Sequence, residues 1–201
     1  QRLSDILLSA QTNTFMYRDF QSRNVMVKDG EPYFIDFQGG RRGPLYYDVA
    51  SFLWQAKANL SDELRSELLN DYIDALKTIQ LIDETDFRYK LKHFVLFRTL
   101  QVLGAYGFRG YFEKKPHFLQ SIPYALENLR MLLRDNLQGY PYLVEILTQM
   151  CDLKQFREFT IHKPLVVKVY SFSYKKGIPN DDSGNGGGFV FDCRAVNNPG
   201  K

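Results

Sequence analysis

Three side chains near the start of the chain, Asp19, Asn24 and Asp36, have the types and spacing for metal-assisted chemistry. Asn24 follows Asp19 by five residues, and Asp36 follows Asn24 by twelve. Between them, Val25-Met26-Val27 and Tyr33-Phe34-Ile35 are β-prone runs, separated by Lys28-Asp29-Gly30-Glu31-Pro32. That separator reads as a turn, with Gly supplying positive φ and Pro ending the pairing. A hairpin here brings the Asn24 end of one strand beside the Asp36 end of the other, so the acceptors meet. The chemistry that needs such a meeting is phosphoryl transfer. One carboxylate must orient the attacking hydroxyl and receive its proton, while an amide oxygen and a second carboxylate hold Mg²⁺ on the nucleotide phosphates.

The elements that must position these groups give the assignment its detail. In Tyr17-Arg18-Asp19-Phe20-Gln21-Ser22-Arg23-Asn24 the spacing is that of a kinase catalytic loop, and Ile35-Asp36-Phe37-Gln38-Gly39 stands where the metal-binding Asp belongs. Asp19 is then the expected base, and Asn24 and Asp36 are the expected metal ligands, with ATP and Mg²⁺ as cofactors. With Tyr47-Asp48-Val49-Ala50-Ser51-Phe52-Leu53, these stretches resemble the aminoglycoside phosphotransferase family, a protein-kinase-like group that includes amino-sugar kinases. The resemblance runs from about Phe15 to near Cys151. It implies that Asp48 braces the catalytic-loop backbone and that Tyr17 and Arg18 support the loop. Tyr17 stands where the family usually has His, and Gln38 separates Phe37 from Gly39. The second departure favours a small-molecule acceptor, expected to be a sugar or amino sugar. Arg23, Arg41 and Arg42 are candidate acceptor or phosphate contacts, although the last two also read as a solvated pair on the basic loop Gly39–Pro44.

The chain begins at Gln1, and no glycine-rich phosphate loop or strand lysine precedes the catalytic segment. An N-terminal lobe is therefore expected to be missing, which makes this a piece of a longer protein and catalytically silent by itself. A different class of reading keeps the kinase fold only as a non-catalytic platform.

Composition bounds the rest. The chain has 201 residues, 44% of them apolar and 15% aromatic, enough for a sizeable core and against disorder. Its 26 basic and 23 acidic residues leave a formal charge of +3, too balanced to argue by itself for nucleic acid or a membrane. No signal segment or long apolar run stands out, and the two cysteines, Cys151 and Cys193, form no C-x-x-C. A cytoplasmic protein with no membrane partner is the expectation.

Periodicity predicts helices in order. The first covers residues 2 to 10, with Leu3, Ile6 and Leu7 on one face. The next runs from Asp48, expected to accept from its own first turn, to about Asn59. A third is capped by Ser61, with Leu64, Leu68, Tyr72 and Ala75 as its stripe. A long central helix follows, capped by Asp83 in a box-like arrangement with Asp86 and running to Tyr106, with His93 structural. A loop spans Gly107 to Pro116. Two more helices follow, one capped by Ser121 and running to about Leu137, the other from Tyr142 to about Leu153. The expected fold is mainly α with small β hairpins: a kinase-like C-terminal lobe over residues 1–159, then a partial α/β unit over 160–201.

That second unit is read from the strand runs Leu165–Tyr174 and Phe189–Cys193. Ser171–Pro179 and Phe189–Pro199 resemble the start of the C-terminal domain of the RapZ family of bacterial regulators. The resemblance implies RNA, a protein or an amino-sugar metabolite as partner, with Lys175, Lys176 and Arg194 as candidate contacts. Solvation of a strand end is the alternative for those three.

Overall fold

The structure, a computed structural model, describes residues 2–134, 137, 139–157 and the single positions 170, 172, 173, 175 and 177. The chain divides into two units, Gln1–Ile161 and His162–Lys201, and every element below belongs to the first. In order these are α1 (Arg2–Leu8), β1 (Thr14–Met16), β2 (Val25–Lys28), β3 (Glu31–Phe34), β4 (Arg41–Gly43), α2 (Tyr46–Leu53), α3 (Asp62–Lys77), α4 (Glu84–Gly107), α5 (Pro116–Leu119), α6 (Ile122–Arg134), α7 (Pro141–Cys151) and α8 (Lys154–Arg157). The fold is mainly α-helical, with two small antiparallel two-stranded sheets and no closed sheet among the described residues.

The β2–β3 hairpin turns on Asp29 and Gly30, both with positive φ (53° and 84°), as a two-residue turn of the primed type requires. Lys28 faces Glu31 and Val25 faces Phe34. Pro32 does not end the pairing; it lies inside β3 opposite Val27. In an antiparallel ladder, hydrogen-bonded and non-bonded pairs alternate. The Ile35 N–H donates to the Asn24 carbonyl at 3.0 Å, so the 24/35 pair is bonded and the 27/32 pair is not. Proline's missing N–H therefore costs no ladder bond. The expected basic loop is also partly strand, since Arg41–Gly43 pairs with Thr14–Met16.

The helices are organised around α4. Asp83 starts it, its Oδ1 accepting from the N–H groups of Thr85 at 2.9 Å and Asp86 at 3.1 Å. The Asp86 carboxylate pairs forward with Lys90. Apolar side chains lie all round this helix, and each side serves a different cluster. Phe87, Leu91, Phe94 and Val95 pack with α2, Leu69 and Ile73 of α3 and Leu132 of α6. Leu96 packs with Leu126 and Leu129 of α6 and Leu147 of α7. Helix α1 divides its apolar face between the two, Leu3 and Ile6 on the second cluster and Leu7 on the first. His93 is buried, its Nδ1 2.8 Å from the Tyr89 carbonyl.

Several elements depart from the sequence expectations. Helix α2 begins at Tyr46 and ends at Leu53, followed by a short 3₁₀ turn at Ala56–Ala58. The buried face of α3 is Arg65, Leu69 and Ile73, one position on from the expected stripe, and Leu64 is exposed. The reason is Arg65, which periodicity alone places on the surface. Its guanidinium donates to the carbonyls of Leu53 (3.0 Å) and Leu60 (3.1 Å) and to Asp62 (2.7 Å), and lies over the Trp54 ring. Burial pulls its pKa down, and Asp62 opposes that. Of the loop expected at 107–116 only Glu113–Lys115 is irregular, because α4 runs into a π-helical turn at Phe108–Phe112 before α5. The Ser121 hydroxyl does not cap α6 but donates back to the His117 carbonyl at 3.0 Å. Helix α6 is described to Arg134, and α7 ends at Cys151.

Apart from isolated positions, the strand runs expected at 165–174 and 189–193 lie outside the described residues, as do Lys176 and Arg194. Among the described residues no helix is long and apolar enough to cross a membrane.

Candidate active site

The loop after β1 is held from below by one carboxylate. Asp48, in the first turn of α2, accepts from the Tyr17 N–H at 2.5 Å through Oδ2 and from the Arg18 N–H at 2.9 Å through Oδ1. It therefore accepts from a distant loop and not from its own helix start. Burial pushes the Asp48 carboxyl above its ordinary value, while the two N–H groups and the nearby Arg98 charge pull it down. Arg18 adopts φ 75°. A non-glycine residue in the left-handed region is strained by about 1–3 kcal/mol, and such strain persists only where surrounding bonds over-determine it. The paired bonds to Asp48 do that.

Aromatic packing and one hydroxyl fix the other side of the loop. Phe20 stacks on Phe52 of α2 at 4.7 Å and lies 5.5 Å from Tyr17 and 6.0 Å from Phe34. The Tyr17 hydroxyl donates to the Ile35 carbonyl, joining the loop to the chain just before Asp36. Desolvation first, then the Asp36, Asp19 and Asp48 carboxylates, raise the Tyr17 phenol above its ordinary pKa, so it stays a donor. The Ser22 N–H donates to the Gln55 side chain at 2.9 Å.

These bonds bring several of the expected residues to one place, though Asn24 does not itself line it. Tyr17, Arg18, Asp19, Arg23 and Asp36 all line a pocket of about 720 Å³ whose other wall is helical. Asp19 accepts from the Gln21 amide through Oδ1 and from Arg23 at 3.4 Å through Oδ2. Asn24 is buried behind it and donates Nδ2–H to the Asp19 carbonyl at 2.8 Å, which leaves Oδ1 as its available acceptor. Asp36 is exposed, with φ 66°, and its Oδ1 accepts from Gln38 at 2.6 Å. An amide oxygen and a carboxylate are hard oxygen donors of the kind Mg²⁺ takes when most of its shell is water and phosphate. Among the described residues no group of three or more His, Cys, Asp or Glu gathers as a metal site.

Arg41 and Arg42 are exposed on β4 and do not line the pocket. Gln21 and Gln38 hold the two pocket carboxylates, a role not read from the sequence, where Gln38 stood out only for separating Phe37 from Gly39; the signal available was that each stands two residues after an Asp. Arg98 and Arg109, which also line the pocket, come from α4 and its π-helical extension. Nothing short-range marks them, because their partners are remote in sequence.

Residues 1–87 match the phosphotransferase enzyme family. The chain is similar to the N-acetylmuramate/N-acetylglucosamine kinase of Neisseria meningitidis, 30% identical over 130 residues, covering 63% of this chain and 39% of that protein. Its similarity to the enzyme of the same description from Pseudomonas aeruginosa is 26% over 129 residues, covering 61% of this chain and 38% of that protein. The Pseudomonas putida counterpart stands at the same identity and coverage. The chain thus spans about two fifths of the length of the curated relatives it matches. Likeness to amino-sugar kinases supports phosphotransferase-type activity in general.

Proposed function

We propose that this chain carries the catalytic-loop half of an ATP-dependent kinase that phosphorylates a hydroxyl of an amino sugar. The observation that carries the reading is the convergence of Asp19 and Asp36 on one pocket, with Asn24 tied to the Asp19 backbone behind them. Asp19 orients the acceptor hydroxyl and receives its proton. Its hydrogen bonds with Gln21 and Arg23 limit the directions in which its oxygens can accept. Asn24 Oδ1 and the Asp36 carboxylate would hold Mg²⁺. Bound as its magnesium complex, ATP would supply the phosphoryl group and the positive charge that offsets its transfer. Asp48 keeps the loop backbone in place, and the Tyr17 hydroxyl keeps loop and hairpin in register. The amino-sugar acceptor is drawn from what the similar enzymes are described as acting on, N-acetylmuramate and N-acetylglucosamine.

The test incubates the full-length protein with ATP, Mg²⁺ and each of N-acetylmuramate, N-acetylglucosamine and an aminoglycoside, and looks for phosphorylated product. A sugar phosphate from either amino sugar is the expected result; no phosphorylated product from any acceptor overturns the reading. Asp19→Asn should lower turnover by about 10²–10⁴-fold while leaving nucleotide binding in place, since the lost step is proton removal. Undiminished turnover would remove Asp19 from the role of base.

A further inference from the structure

Helix α2 carries the Asp48 carboxylate that supports the catalytic loop, yet no side chain within the helix caps its first turn. Leu45 stands at the N-cap and has no oxygen with which to cap it. Asp48, which could accept from that turn, is committed to the N–H groups of Tyr17 and Arg18. The first four N–H groups of a helix lack intrahelical partners, so an uncapped start depends on its packing. On the apolar side, Tyr46 stacks on Phe94 of α4 at 5.1 Å. That contact is non-directional: it sets how close α2 and α4 lie without fixing the angle at which the turn presents Asp48.

A polar clamp supplies the direction. The Arg98 guanidinium of α4 lies 4.5 Å over the Tyr47 ring, and its Nη1 donates to the Tyr47 hydroxyl at 2.7 Å. That hydroxyl lies 3.4 Å from the Gln101 side-chain oxygen, which also accepts from Arg98. Arg98 lines the pocket, but its Nε–H is buried and its Nη1 is engaged, so it presents no open fork to a ligand. Its bonds point into the protein. Tyr47 and Asp48 are consecutive and leave α2 about 100° apart, so fixing the rotation of the turn at one fixes it at the other. The Arg98 charge also favours the ionised Asp48 carboxyl, the form that accepts from both N–H groups.

We propose that Arg98 is a positioning residue for the catalytic loop: by holding Tyr47 it fixes the first turn of α2, and so the Asp48 carboxylate on which the loop carrying Asp19 rests. Its effect on phosphoryl transfer passes through Tyr47 and Asp48, without contact with either substrate. For what the loop does, this rests on the kinase reading; the placement of the loop can be measured without it.

The test is hydrogen exchange at the Tyr17 and Arg18 backbone N–H groups of the full-length protein, with steady-state kinetics beside it. Tyr47→Phe keeps the ring and removes the hydroxyl that Arg98 engages, so it should fold normally. It should speed exchange at those two N–H groups about tenfold while leaving the N–H groups of α6 unchanged. Arg98→Gln should act in the same direction and more strongly. In both variants kcat should fall about tenfold, with KM for MgATP and for the amino sugar within about twofold of the unmodified values. Adding Arg98→Gln to Asp48→Asn should slow turnover no further, because the two act along one path. Unchanged exchange at Tyr17 and Arg18, a loss carried by KM, or losses that multiply in the double variant would each overturn the proposal. Faster exchange at the two N–H groups in a protein that forms no sugar phosphate would uphold the positioning role and sink the kinase reading.

Discussion

The hairpin half and the helical half of this chain are held together by different forces. From Thr14 to Gly43 the only buried residues are Asn24 and Gly43, and both hairpin strands are largely exposed. Order there comes from hydrogen bonds that cross the sequence: Asp48 to two backbone N–H groups, Asn24 to the Asp19 carbonyl, and Tyr17 to Ile35. From α2 to α7 order comes from burial, with Leu96 and Leu129 wholly shielded from solvent. On the proposed function the carboxylates of Asp19 and Asp36 must stay reachable, and the bonds of Asp48, Asn24 and Tyr17 to backbone atoms hold the segments that carry them without covering them. Asn24 itself is buried.

That contrast can be broken at either end. The largest stability effect should come from Leu129→Ala, which removes a fully buried side chain from the α4–α6 contact and should cost about 2–5 kcal/mol in denaturant unfolding. A loss below about 1 kcal/mol would mean that the second helical cluster is not the core the packing implies.

Asp48→Asn tests the junction between the halves. Stability should change by about 1 kcal/mol, since one N–H bond is lost to an amide nitrogen that cannot accept and the other is weakened while a partly buried charge is removed, and turnover by the full-length protein should fall at least about tenfold as the loop loses its brace. The pH dependence has a definite sign. The Asp48 carboxyl is raised above its ordinary value in the fold, burial being the main cause. Its contribution is therefore fully present below the unfolded pKa and is lost as pH rises through the folded one. Acidification from neutral pH toward the ordinary carboxylate range should shift stability in favour of the unmodified protein over Asp48→Asn, as read from paired denaturation curves. A shift the other way would mean that the two N–H bonds outweigh burial.

Asp83→Ala removes the cap of α4 and should cost about 1 kcal/mol, with turnover unchanged. At the small end, Met26→Ala on the exposed hairpin should alter stability by no more than about 0.5 kcal/mol. A larger loss would show that burial contributes to the hairpin after all.

How much could be read from the residues alone follows the sequence separation of each interaction. The Asp29-Gly30 turn, the Ser61 and Asp83 caps and the order of helices were all legible, because each depends on neighbours within a few positions. So was the spacing of Asp19, Asn24 and Asp36, which a short loop and one hairpin bring together. What stayed hidden depends on segments far apart. Arg65 reads as a surface residue until the carbonyls of Leu53 and Leu60 are placed against it. Asp48 reads by its local pattern as a cap for its own helix, and only the family resemblance points it at the loop of Tyr17 and Arg18, some thirty positions earlier, whose N–H groups it accepts from. Arg98 reads as an ordinary helical charge until Tyr47, fifty-one positions away, slides beneath it. Local preference chooses turns and caps because few residues must be ordered to form them. Only the packed helices, by closing the long loops between these residues, decide which polar groups share a pocket.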